Sequence, residues 1–263
     1  MSVSRIIFVT SLLIIIIFCA SFILFRYYGN QDNANWFNDN LRGELAKSPT
    51  LRSLYALNWD GDAKSDYLSN RKFKKLVIEI ESIQQCALYF ADNQALADQI
   101  NDLIQKPEGV EIILNDSIDE DEIIFLESNP LDRAVSRLKA RLQNHKTGGD
   151  TAFLHVLCLD YNRDASTTIG ATYENTTVLL FYNRIKEVTE KNSAALPIYL
   201  KTTLLHEFGH QLGLPHLEDT GCMMAATVES PGNAIGALDQ IPQSFCPASL
   251  NMIQTLRLQY QET

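Results

Sequence analysis

The sequence predicts an α+β domain, a mixed twisted sheet with helices packed on it. Three observations predict it. From Lys72 onward, short apolar runs of strand length alternate with longer segments of helical period, in the order β-α-β-α-β-β-α-α. Hydrophobic residues make up 46% of the 263 residues, enough to fill one substantial core. One stretch near the C-terminal third, Leu204 to His216, carries three histidines and a glutamate at spacings that suit a metal.

The first strand candidate is Leu76-Val77-Ile78-Glu79-Ile80. Asn93 to Gln105 follows with Leu96, Ile100, Leu103 and Ile104 at helical spacing, closed by Pro107 and Gly109. Val110 to Leu114 is a second strand. The acid-rich run Asp116 to Glu122 reads as a solvated loop. Leu131 to Leu142 is a helix entered through Asn129-Pro130. Phe153 to Leu159 is an unbroken apolar run, as in a strand buried on both faces, and makes His155 a core histidine. His145 falls in a polar loop. Ile169 to Tyr173 and Val178 to Tyr182 are two short strands, Pro197 to Leu212 a helix, and Pro247 to Tyr260 a final helix.

The N-terminal part has a different character. Residues 6–25 form an uncharged run whose length, at about 1.5 Å per residue, matches a bilayer core of about 30 Å. Arg5 and Arg26 bracket it, and Tyr27-Tyr28 follow as interfacial aromatics. The run continues through Phe22-Ile23-Leu24-Phe25 past the small cluster Cys19-Ala20-Ser21, which favours an uncleaved anchor over a signal peptide. The expectation is a single-pass membrane protein: an anchor at 1–28, a polar stalk at 29–70, and a folded domain at 71–263 outside the cytoplasm. Within the stalk, Trp36 to Lys47 is a candidate helix. Asn58 to Asp66 has alternate oxygen side chains like half a calcium loop, but Ala63 stands where a glycine belongs and a plain Asp-Gly turn accounts for it. A net charge of −10 argues against nucleic acid as a partner.

The chemistry lies in His206-Glu207-Phe208-Gly209-His210-Gln211-Leu212-Gly213-Leu214-Pro215-His216. Histidines four apart share one helix face, so both imidazoles can reach one Zn²⁺. Glu207 follows the first of them and can act on a water at the metal without binding it. Gly213 supplies a residue that enters φ > 0 without a Cβ penalty, so the helix can end there. Pro215 keeps it from resuming. His216 can then return to the metal as a third ligand, leaving a fourth position open for chemistry. The cysteines outside the apolar run are Cys86, Cys158, Cys222 and Cys246, which allow three pairings among which the sequence does not choose.

This motif, with Met224 eight residues after His216, is the metzincin signature. From about residue 73 to 263 the chain resembles the archaemetzincins, with matrixins second-nearest. Further likenesses are Lys201-Thr202-Thr203 before the motif, Ile169 to Tyr173 with Val178 to Tyr182, and Phe245-Cys246-Pro247 before the last helix. The resemblance implies a zincin-type fold with an active-site helix, one catalytic zinc, Met224 in a Met-turn beneath the ligands, and a peptide substrate laid along an edge strand that includes Ala171, Thr172 and Tyr173. Archaemetzincins carry four further cysteines suited to a second, structural zinc. The matching positions here are Leu217, Cys222, Cys246 and Ser249, so that second zinc is expected to be absent. The two remaining cysteines, Cys222 and Cys246, are then candidates for a disulfide, or stay as buried thiols. The function expected is a membrane-anchored zinc peptidase acting on peptides or proteins. A non-catalytic zinc-containing peptide-binding module and a hydrolase of a non-peptide amide are the alternatives; the intact Glu207 favours the peptidase.

Overall fold

Five strands carry the fold, and their order follows from how the apolar runs pair. β1 (Lys75–Ser82) lies centrally between β2 (Val110–Ser117) and β3 (Thr151–Leu159), parallel to both. β5 (Thr177–Phe181) adds to β3 in parallel, and β4 (Gly170–Tyr173) adds to β5 antiparallel as an edge, giving the order β2-β1-β3-β5-β4. β3 and β5 are almost wholly buried, as unbroken apolar runs require. The computed structural model describes residues 16–17, 19–24, 63–71, 73–145, 147, 149–161, 168–174, 176–229, 238 and 241–262.

The compact unit around this sheet runs from Ala63 to Thr263. It begins with α1 (Ala63–Leu68), in a stretch whose composition suggests a stalk. Ala63, Tyr67 and Leu68 are spaced to share one helix face, and all three are buried in the core. The Tyr67 hydroxyl donates to the Phe153 carbonyl at 3.0 Å. Lys106 fastens the exit of this helix: its ammonium is buried and donates to the carbonyls of Asp66, Ser69 and Phe73 at 2.7–2.8 Å. Burial pulls its pKa down to about 7, against the charge of Asp66.

A short helix, α2 (Gln84–Ala87), follows β1, and Cys86 within it is disulfide-bonded to Cys158 on β3. α3 (Gln94–Ile104) then leads to β2. The acid run begins at Asp116, in the end of β2, and then caps and starts a helix from Asp119 on, which corrects the expected loop. Asp119 caps α4 (Glu120–Ser128): its carboxylate accepts the Glu122 N–H at 3.0 Å, and the Glu122 carboxylate accepts the Asp119 N–H at 3.2 Å. Glu120, Asp121 and Glu122 lie in the first turn, where the helix dipole favours negative charge. α5 (Leu131–Leu142) returns beside α4. Arg141 on it pairs with Asp119 and Glu122, and the Arg137 guanidinium lies 3.9 Å over the Phe125 ring, so these two arginines join the two helices.

After β5 come α6 (Tyr182–Val188), α7 (Ala195–Gln211), α8 (Ala226–Glu229) and α9 (Pro247–Glu262). Pairing puts Glu79, His155, Thr177 and Tyr173 in one row on one face of the sheet. Tyr173 reaches α5 from that row, with its hydroxyl 3.3 Å from the Asp132 carbonyl and from the Ser136 hydroxyl. The opposite face, to which Gly170 belongs, carries α7.

Among the described residues, no helix is long and apolar enough to cross a membrane. A span needs about 20 consecutive apolar residues; the described helical residues of the N-terminal run are only 16–17 and 19–24. That corrects the expected single-pass anchor and the placement built on it. The rest of that run, the candidate helix at Trp36 to Lys47, and residues 58–62 of the calcium-like loop lie outside the described residues.

Candidate metal centre

α7 places His206 and His210 one turn apart, and its end brings in the third histidine. The helix closes at Leu212, and Gly213 takes φ 90°, the left-handed conformation that glycine adopts without strain. The Gly213 N–H donates to the His210 carbonyl at 2.8 Å and the Leu214 N–H to the Gly209 carbonyl at 3.0 Å, which satisfies the last carbonyls of the helix and turns the chain back. His216 arrives from the far side of this turn.

The three Nε2 atoms converge. They are 3.1 Å apart for His206 and His210, 3.3 Å for His206 and His216, and 3.0 Å for His210 and His216. Two nitrogens held at about 2.0–2.1 Å by one tetrahedral zinc stand about 3.3 Å apart, so the spacing fits a single ion. The other ring nitrogens are committed to the backbone. His206 Nδ1–H donates to the Met223 carbonyl at 2.6 Å, and His210 Nδ1–H to the Leu214 carbonyl at 2.8 Å. A proton fixed on Nδ1 leaves a lone pair on Nε2, the form a metal takes. Burial pushes His206 down to about 4, opposed by the bond to Met223 and aided by the two neighbouring imidazoles, so its ring is neutral at ordinary pH. The site grades from buried His206 to exposed His216, which leaves one side open to solvent.

Met224 is fully buried under α7: a Cβ built on Gly209 would lie 2.4 Å from its sulfur. The same turn anchors both ends of the motif. The Met223 carbonyl holds His206, and the Met224 carbonyl accepts the Leu217 N–H at 2.8 Å, next to His216. Cys222, two residues earlier, is disulfide-bonded to Cys246, and the Ser249 hydroxyl lies 3.4 and 3.6 Å from the two sulfurs. The bond ties the turn to the start of α9.

Glu207 is 1% exposed and lies against the sheet edge. A Cβ built on Gly170 would lie 3.0 Å from its Oε1 and 2.5 Å from Thr203 Cγ2. Ala171 and Thr172 lie on β4, with Thr172 exposed, whereas the Tyr173 side chain is held by α5 on the other face. Met223 and Leu214 escape sequence reasoning because they act through carbonyls, which carry no side-chain signal. Gly170 has one weak signal, a glycine inside a strand pattern, which marks a close approach of another group.

The matrixin family model matches residues 144–240. The archaemetzincin of Saccharolobus solfataricus is 28% identical over 96 residues, 35% of this chain and 49% of the relative. Over the matched stretch this chain is archaemetzincin-like. It spans about half the length of the curated relative it matches. Among solved structures, the archaemetzincin of Methanopyrus kandleri aligns at TM-score 0.46 and 15% identity, over 71% of this chain and 97% of that one. A zinc-dependent peptidase from Methanocorpusculum labreanum aligns at TM-score 0.41 and 15% identity, over 67% and 99%. The sequence matches point to a zinc metallopeptidase.

Proposed function

We propose that the archaemetzincin-like chain is a zinc-dependent peptidase whose metal is held by His206, His210 and His216, with Glu207 as the proton-transfer group. The observation that supports this most is the convergence of three Nε2 atoms at 3.0–3.3 Å, two of them with their Nδ1 protons engaged elsewhere. Zinc at such a site supplies Lewis acidity, polarising a carbonyl and bringing the pKa of a water on it to about 7. Glu207 accepts the proton of the attacking water and returns it to the leaving amine, acting as base and then acid. Its packing against Gly170 fixes the carboxylate between helix and sheet edge. Met224 closes the floor beneath the imidazoles. A peptide substrate adds as a strand along β4 at Ala171 and Thr172, where main-chain groups on the outer edge are available for pairing.

The test is a comparison of the full chain with Glu207→Gln. Both are loaded with zinc, metal content is measured, and both are incubated with a peptide library. Cleavage by the parent, reduced by about 10²–10⁴ in the variant at unchanged zinc content, is the expected result. Zinc-loaded parent protein that binds peptides and leaves them intact would overturn the enzymatic reading.

A further inference from the structure

A second group of ligand-type side chains lies inside the sheet, away from the histidine triad. Glu79 and Glu81 are two apart on β1 and so point to the same face, and His155 is the register partner of Glu79 on β3. All three are at most 1% exposed. One ligand atom from each lies within 4.8 Å of the others. We propose that Glu79, Glu81 and His155 form a second metal site, taking one divalent transition-metal ion of the Zn²⁺ or Mn²⁺ kind.

The surroundings say why a cation belongs there. Two carboxylates enclosed together repel each other and have lost their hydration, which is costly unless positive charge or hydrogen bonds compensate. Groups from several neighbouring elements face them among the described residues. From β2, the Asn115 amide donates to both Glu79 and Glu81. From the segment after α5, the backbone N–H groups of Asn144 and His145 donate to Glu79 at 3.1 and 3.2 Å, and His145 Nδ1 lies 3.1 Å from it. Glu81 faces His155, whose Nε2 is 3.7 Å from its Oε1. Donors at about 2.0–2.2 Å from one ion stand up to about 4.4 Å apart, so small adjustments of the carboxylates close the group around a metal.

An independent observation points the same way. Thr177 is the register partner of His155 on β5, so its side chain stands beside the imidazole on the same face. It is fully buried, and its hydroxyl makes no hydrogen bond among the described residues. A sealed hydroxyl beside the imidazole of this group is a candidate fourth donor, to a metal or to water on it. Carboxylate oxygens with one imidazole suit Zn²⁺ or Mn²⁺ better than soft ions. His145, with its side chain 41% exposed, borders the group and gives it a route to solvent.

The site is independent of the proposed catalytic zinc, and the test separates them. The full chain carrying His206→Ala, His210→Ala and His216→Ala is dialysed against Zn²⁺ or Mn²⁺, freed of excess metal, and its metal content measured by mass spectrometry. One ion per folded chain is expected, and adding Glu81→Gln and His155→Gln removes it. A folded triad variant that holds neither ion, or one whose metal survives Glu81→Gln and His155→Gln, overturns the proposal. Should the triad variant not fold, Glu81→Gln in the parent serves instead: metal content falls from two ions to one with peptide cleavage retained. A parent holding a single ion that Glu81→Gln leaves in place overturns the proposal there too.

Discussion

Two groups of three ligand-type side chains lie on opposite sides of one sheet, and they are built by opposite means. His206, His210 and His216 fall within eleven residues of sequence, and helix geometry plus one turn brings them together. Glu79, Glu81 and His155 come from strands β1 and β3, and only the parallel register makes them neighbours. The first group grades from buried to exposed, with its nitrogens oriented by carbonyls. The side chains of the second are all buried, with His145 at its border half-exposed. A half-open metal centre can turn over substrate; an enclosed one can only hold an ion or a proton. The contrast teaches that access, more than donor chemistry, separates a site that reacts from one that stabilises.

The largest effect is expected at the open site. Replacing His206 by Ala removes the most enclosed ligand and frees the Met223 carbonyl, so catalytic zinc and peptide cleavage are both lost; metal analysis beside a peptide assay checks it. Next is the disulfide that joins α2 to β3. Cys86→Ser with Cys158→Ser opens a link spanning 72 residues. By loop entropy such a link is worth about 4 kcal/mol, so the variant's denaturation midpoint should drop steeply while His206, His210 and His216 keep their metal.

A smaller effect is expected at Gly170, which touches the open site from the sheet. An alanine there meets Thr203 and Glu207, so the helix or the carboxylate has to shift. Overpacking of this kind costs about 1–3 kcal/mol. A kinetic comparison should find kcat reduced at unchanged zinc content; an unchanged kcat would show that Glu207 has room to spare. The mildest prediction concerns pH. Lys106 has its pKa lowered to about 7 in the fold, against about 10.4 for a free lysine. Between these values the unfolded chain holds more protons than the folded one, so folding stability rises as pH rises through that window. Lys106→Met should flatten the rise, measured by denaturant unfolding at several pH values. The same substitution leaves the carbonyls of Asp66, Ser69 and Phe73 without their shared donor, so it lowers stability below pH 7 as well.

Features set by near neighbours along the chain were legible from the residues. Helical spacing put His206 and His210 on one face, Gly213 ended the helix, and apolar runs marked the five strands. Where local signals were ambiguous, they misled: the acids before Ile123 look like a solvated loop but start a helix, because a capping box and a loop share the same residues. Tyr67 and Leu68 look like stalk, because a polar neighbourhood hides two core residues on a short helix. Tertiary structure alone decided that Cys86 meets Cys158, that carbonyls of Met223 and Leu214 orient the imidazoles, and that Glu79 faces His155. The physical reason is separation along the chain. A helix or turn fixes partners within a few residues, whereas strand register and backbone acceptors depend on the whole sheet having formed.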